Sequence, residues 1–321
     1  MKKYKPIIVV AGEPNSIFLE IFFKSLSKKY KSPIILIVSL NLLKQQMRKL
    51  NYKKKIRSIQ FEQLKNYKLN NNSINVINVN YKFVKPFEKI SSKSNKYIKK
   101  CFDLSFKILK SGISNKLING PISKQHYLQK RFLGVTEYIA KTFSVKSKAM
   151  LIYNKNLSVC PITTHLPIKF VTKKINQLSI SEKIKLIHKF YKIYFKINPK
   201  IGVLGLNPHC ESIDQNNEDE KIIRPIVKRL SSKGYKISGP YPADTLFLIK
   251  NRKNFDVVVG MYHDQVLTPI KTLYEYDAIN ITLGLPFLRI SPDHGPNEKM
   301  IGKNLSNPLS LIRAINFLDK N

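Results

Sequence analysis

One unit recurs along this chain: a strand-length apolar run that stops abruptly in a polar turn. Runs of this kind are Ile7–Ala11, Ile34–Val38, Ile74–Val79, Lys116–Asn119, Ala149–Tyr153, Ser158–Ile162, Ile201–Leu206, Val257–Gly260 and Ala278–Thr282. Stretches of helical period lie between them, clearest over Ser16–Leu26 and Ser181–Phe195. In the second, Ile184, Ile187, Tyr191 and Tyr194 share a face and Ser181 is the expected N-cap. Strands alternating with helices predict an α/β fold with a largely parallel sheet. At 321 residues the chain can bury a substantial core. No repeat or Pro/Gly/Ser linker divides it, so two domains, if present, are interlocked.

The turns carry the chemistry. Gly12-Glu13-Pro14-Asn15, Asn119-Gly120-Pro121, Thr163-Thr164-His165-Leu166-Pro167, Asn207-Pro208-His209-Cys210 and Met261-Tyr262-His263-Asp264 all follow strand candidates. In open parallel sheets the carboxyl ends of strands form the ligand crevice, so several loops are expected to build one site. No GxGxxG follows the first strand and no Walker A is present, which argues against ordinary Rossmann or P-loop nucleotide binding.

A net charge of +37 raises the question of a polyanion partner. The lysines, however, are scattered over nearly every helical stretch, and no RNA-binding aromatic motif or zinc finger accompanies them. Compositional drift accounts for the charge, and no specific nucleic acid is expected. No apolar stretch reaches membrane-spanning length. The first apolar run is too short for a signal segment. The three cysteines are far apart, with no CxxC. A disulfide framework is therefore not expected, and the cytoplasm is the expected compartment.

Of six histidines, His188 lies in a helical stretch and His126 opens one; both read as structural or solvated. His294 falls in a Gly/Pro loop. His165, His209 and His263 each follow a strand directly, and three neutral imidazoles converging on a point make a divalent-metal site suited to catalysis. Downstream, Lys271, Asn280 and Arg289 suit a substrate phosphate or carboxylate, Arg289 being able to engage two oxygens. Asp244, Asp264 and Asp293 are candidates for a proton acceptor or for orienting a histidine.

Taken together, "THLP", "GLNPH", "GPYPADTLF", "MYHDQ", "NITLGLPFLR" and "DHG", in this order, resemble the 4-hydroxythreonine-4-phosphate dehydrogenase family of vitamin B6 biosynthesis, from the first strand to about Pro308. The resemblance implies a fold like isocitrate and isopropylmalate dehydrogenases, with two interlocked α/β domains and a cleft between them. The expected division is 1–115 plus 275–321 against 116–274, the second carrying most metal ligands and dimer contacts. It implies NAD or NADP bound without a Rossmann motif, and one divalent ion, Zn²⁺ ahead of Mg²⁺, Co²⁺ or Mn²⁺. It further implies a homodimer with the active site at the interface. His165, His209 and His263 become the metal ligands, His263 coming from the other subunit. Thr136, Lys271, Asn280 and Arg289 hold substrate, while His294, Gly295 and Asn307 face the cofactor. Asp244, Asp264 and Lys271 are the expected catalytic groups. The implied reaction oxidises and decarboxylates 4-phosphooxy-L-threonine to 3-amino-2-oxopropyl phosphate.

The chain departs from the family pattern in three places. Gly134-Val135-Thr136-Glu137 stands where "GHTE" is usual, Cys210 to Gln215 replaces a Gly-rich stretch, and Asp293 to Gly302 differs from the usual cofactor loop. These changes leave the histidines intact and bear on cofactor preference and substrate. They keep two alternatives in view: a dehydrogenase of phosphorylated four-carbon sugar acids (phosphoerythronate or phosphothreonate), and a basic binding protein that has lost catalysis. Substrate comparison separates the first. Nucleic-acid affinity that survives moderate salt would identify the second.

Overall fold

The computed structural model describes residues 4–128, 132, 134–211, 217–292 and 294–321. Twelve strands occur among them: β1 (Ile7–Val10), β2 (Ile34–Val38), β3 (Ile56–Ser58), β4 (Ile74–Asn78), β5 (Lys116–Asn119), β6 (Ala149–Tyr153), β7 (Ser158–Pro161), β8 (Ile201–Leu204), β9 (Ile237–Tyr241), β10 (Val257–Gly260), β11 (Ile279–Leu283) and β12 (Leu288–Pro292). The chain divides into two units, Met1–Tyr138 with Pro286–Asn321, and Ile139–Leu285.

In the first unit the strand order is β3-β4-β2-β1-β5-β12, and every pairing is parallel. β1 and β2 are buried throughout, as expected for strands covered on both faces by helices. The helix Asn95–Lys110 supplies part of that cover through Ile98, Cys101, Phe102 and Phe106. Each isoleucine or phenylalanine side chain of this kind contributes roughly 1.5–3 kcal/mol when fully buried.

In the second unit the order is β11-β6-β7-β10-β8-β9. β7, β10, β8 and β9 run parallel, whereas β6 is antiparallel to both β11 and β7. The core here gathers Ile152, Val159, Leu204, Val258, Val266 and Ile270, among others.

The structure departs from the sequence expectation in three respects. β5 pairs with β1 and β12, so the first unit extends beyond residue 115; β11 pairs with β6, so the second extends beyond 274. The helix expected from Ser181 begins at Gln177 instead. Asn176 caps it, its Oδ1 accepting from the Ser179 amide at 2.9 Å, and Ser181 is buried inside it. Lastly β3, β9 and β12 gave no strand signal. β3 has only three residues, β9 reads Ile-Ser-Gly-Pro-Tyr at a sheet edge, and β12 carries an arginine and a proline.

Candidate active site

β7, β10 and β8 are neighbours in that order and run parallel. Their carboxyl ends therefore lie side by side, about 4.8 Å apart from strand to strand. The turns they feed are those of His165, His263 and His209. Three histidines separated by about a hundred residues in sequence thus emerge along one sheet edge.

Specific hydrogen bonds stitch these turns together. The Ile162 amide donates to the Gly260 carbonyl at 2.8 Å, and the Thr163 amide to that of Met261 at 3.1 Å. The Thr163 hydroxyl donates to the same Met261 oxygen at 2.8 Å, tying the His165 turn to the His263 turn. Gln265 bridges in the other direction: its Nε2 donates to the Gly205 carbonyl at 2.7 Å, and its Oε1 accepts from the Met261 amide at 2.7 Å. Within the His209 turn, buried Asp219 accepts from the amides of Leu206 and Asn207 and from the Asn207 side chain.

His165 and His209 both adopt left-handed backbone conformations, with φ of +54° and +57°, which L-residues visit only at a cost of roughly 1–2 kcal/mol each. Both are exposed. His263 opens the helix His263–Tyr274 and is half-buried. Its Nδ1 lies 2.6 Å from Asp264 Oδ1. That contact fixes the ring and leaves Nε2 to meet a ligand, the arrangement by which carboxylates orient metal-binding imidazoles.

The rings of His165 and His263 have centroids 5.5 Å apart at 40°. Two imidazoles bound tetrahedrally at the usual Zn–N length of about 2.1 Å place their centroids roughly 5 Å apart, so this pair fits one transition ion. Here the pairing of β10 with β7 puts the chain's own His263 beside its own His165. Among the described residues no group of three or more His, Cys, Asp or Glu side chains is gathered to hold a metal.

Also in the second unit, Lys271 is half-buried in the last turn of the helix His263–Tyr274. Asn280, on β11, is half-buried, and its Oδ1 is buried without a hydrogen-bond partner. Asp244 is exposed in the first turn of the short helix Ala243–Leu246. Of the histidines read as structural, His188 is half-buried in its helix, against the Tyr235 ring, and burial lowers its pKa.

The first unit brings together Arg289 and Thr136. Arg289 is 2% exposed; its Nε donates to Asn119 Oδ1 at 2.7 Å and its Nη1 to Thr136 Oγ1 at 3.1 Å. Burial pulls the guanidinium pKa down to about 10, while the nearby Glu137 carboxylate acts in the opposite direction. Val135 is half-buried at the start of the helix Val135–Thr142. His294 is half-buried with Nδ1 2.9 Å from the Gly295 carbonyl, Gly295 is exposed, and Asn307 Oδ1 accepts from the Leu309 amide at 2.9 Å, just before the last helix. Asp293 and residues 212–216 lie outside the described residues.

Asn119, Thr163, Asp219 and Gln265 were not singled out from the sequence as site residues. Three of them stand inside the quoted turns "NGP", "TTHLP" and "HDQ", where position after a strand was the available signal. Asp219 lies ten residues beyond His209 and gave none.

The family model for the Pyridoxal phosphate biosynthetic protein PdxA matches residues 29–318. A 4-hydroxythreonine-4-phosphate dehydrogenase from Sulfurihydrogenibium sp. (strain YO3AOP1) is 45% identical over 207 residues, which cover 63% of this chain and 63% of that relative, so the match spans less than two thirds of the relative's length. The 4-hydroxythreonine-4-phosphate dehydrogenase structure from Klebsiella pneumoniae superposes with a TM-score of 0.84 at 27% identity, covering 99% of both chains. That from Burkholderia phymatum superposes at 0.79 with 28% identity, covering 99% of this chain and 98% of the other. Its α/β fold is therefore that of these solved structures, and the chain belongs to the Pyridoxal phosphate biosynthetic protein PdxA family.

Proposed function

We propose that the chain carries out metal-dependent, NAD(P)-linked oxidation and decarboxylation of 4-phosphooxy-L-threonine to 3-amino-2-oxopropyl phosphate, a step of pyridoxal phosphate biosynthesis. The observation that carries this reading is the imidazole pair of His165 and His263, 5.5 Å apart, in a chain of this family. The two rings would hold a divalent transition ion, zinc first, with His209 as the third imidazole. When bound, that ion supplies a Lewis acid that lowers the pKa of the substrate hydroxyl.

The chain's own residues do the rest. Asp264 holds the His263 ring through Nδ1, which makes it an orienting group rather than the proton acceptor. Asn280 Oδ1, buried without a partner, requires a donor, and the substrate amine or hydroxyl supplies one. Lys271 and Arg289 neutralise phosphate and carboxylate charge, with Thr136 bonded to the Arg289 fork. Holding the substrate in this way makes hydride transfer to the nicotinamide effectively unimolecular. Asp244 is the exposed acceptor for the released proton. His294, Gly295 and Asn307 are assigned to the cofactor side, and two copies assemble as a homodimer that completes the imidazole set. All three cysteines are free and buried, in keeping with a reducing cytoplasm.

Purified protein incubated with 4-phosphooxy-L-threonine, NAD⁺ and Zn²⁺, Co²⁺, Mn²⁺ or Mg²⁺ should generate NADH, and a chelator should abolish it. His263→Ala should lose turnover by orders of magnitude while remaining folded. Absence of turnover with every metal would overturn the reading. Val135, beside Thr136, favours one second reading, a dehydrogenase of a phosphorylated four-carbon sugar acid. A higher kcat/KM on phosphoerythronate than on 4-phosphooxy-L-threonine would select it.

A further inference from the structure

Asp219 is a carboxylate that the reaction above does not use. It is fully buried, and both of its oxygens are spent on a single turn. Oδ1 accepts from the Leu206 amide at 2.7 Å; Oδ2 accepts from the Asn207 amide at 3.0 Å and from Asn207 Nδ2 at 2.8 Å. Those two residues lead through Pro208 into His209.

The turn itself is under strain. His209 and Cys210 are consecutive non-glycine residues with φ of +57° and +61°. Such conformations persist only where the surroundings over-determine them. Packing leaves the turn little room to relax: a Cβ built on Gly205 would come within 2.6 Å of Cys210 Sγ and 2.8 Å of Asp219 Oδ1. Glycine at 205 thus lets the carboxylate and the thiol close in beneath the turn. Gln265 anchors the Gly205 carbonyl to the His263 turn, and Asp219 holds the two residues that follow, Leu206 and Asn207.

We propose that Asp219 is the positioning residue of His209: the clamp on Leu206 and Asn207 fixes the left-handed turn that presents the His209 imidazole to the metal. The proposal rests on the reading of His209 as a metal ligand. A carboxylate is suited to this because it offers acceptors only, and all three facing groups are N–H donors. An amide in its place points one NH₂ at a donor.

The test is a double-mutant cycle read as Co²⁺ affinity of the purified full chain, by calorimetry and the visible absorption of the bound ion. Asp219→Asn should weaken Co²⁺ binding about tenfold or more, the scale typical of groups that orient metal ligands. In a His209→Ala background the same substitution should have no further effect, because its target is gone. An equal loss in both backgrounds would mean a general structural role and overturn the proposal, as would an unchanged affinity in Asp219→Asn alone. If His209→Ala itself leaves Co²⁺ affinity unchanged, the ligand reading fails, and the proposal with it. Should Asp219→Asn not fold, Asn207→Ala, which removes one of the three bonds and leaves the carboxylate in place, is read in the same cycle with the same two deciding outcomes.

Discussion

Replacing Gln265 by leucine should cost far more than a half-buried surface-proximal residue normally would. The Gln265 amide makes two bonds of 2.7 Å, one to the Gly205 carbonyl and one from the Met261 amide. Leucine conserves most of the volume and removes both. A net hydrogen bond is worth about 1 kcal/mol, and a buried backbone group left without a partner costs about 1–3 kcal/mol. Met261 is fully buried, so its amide has no ready access to water. The expected loss is about 2–4 kcal/mol. Gln265→Glu keeps the acceptor for Met261 but sets a carboxylate oxygen against the Gly205 carbonyl in place of the donor, so it should also destabilise. With no tryptophan in the chain, urea unfolding is best followed by far-UV circular dichroism, reading the shift in midpoint at unchanged slope. If Gln265→Leu shifts stability by less than about 0.5 kcal/mol, the stitch between the two turns carries no stability and the reasoning fails.

Further outcomes can be checked. Arg289→Lys cannot reproduce the fork that reaches both Asn119 and Thr136. Losing a charged hydrogen bond of roughly 1.5–3 kcal/mol should lower kcat/KM about ten- to a hundredfold, mainly through KM; unchanged steady-state kinetics would contradict it. Burial raises the Glu13 carboxyl above its ordinary 4.5 despite bonds from the Asn15 amide and Ser94. A group raised in this way contributes stability that is full below 4.5 and lost as pH climbs through the raised folded value. Thermal melts across that window should show a decline in the wild type that Glu13→Gln lacks, and parallel curves would refute it. Burial pushes the Cys101 and Cys160 thiols up to about 12, so near pH 8, by mass spectrometry, iodoacetamide should label neither in the native protein and both after unfolding. Native labelling of either would show that its site opens.

Much of the candidate site was legible because the relevant signals are local. A continuous apolar run such as Val257-Val258-Val259, ending in Gly260 and followed by His263, announces a buried strand and the polar turn after it within a few residues. The same holds for His165 after β7 and His209 after β8. Short or edge strands escaped for the complementary reason: β3 and β9 bury too little on either face to impose a pattern. The start of the helix at Gln177 was missed because Asn176, not the better-placed Ser181, has its side-chain oxygen within reach of a free amide.

Apolar period and turn chemistry are written within a few neighbouring residues, so the α/β class and the histidines at strand ends could be read without the fold. Tertiary structure alone decided which ends are neighbours. The order β7-β10-β8 joins segments about a hundred residues apart, and it brings the turns of His165, His263 and His209 to neighbouring strand ends, with the His165 and His263 rings 5.5 Å apart. Asp219 and Gln265 acquire their roles only there, because hydrogen bonding is set by proximity in space, and no local pattern marks an acceptor for a turn to which it is brought by folding.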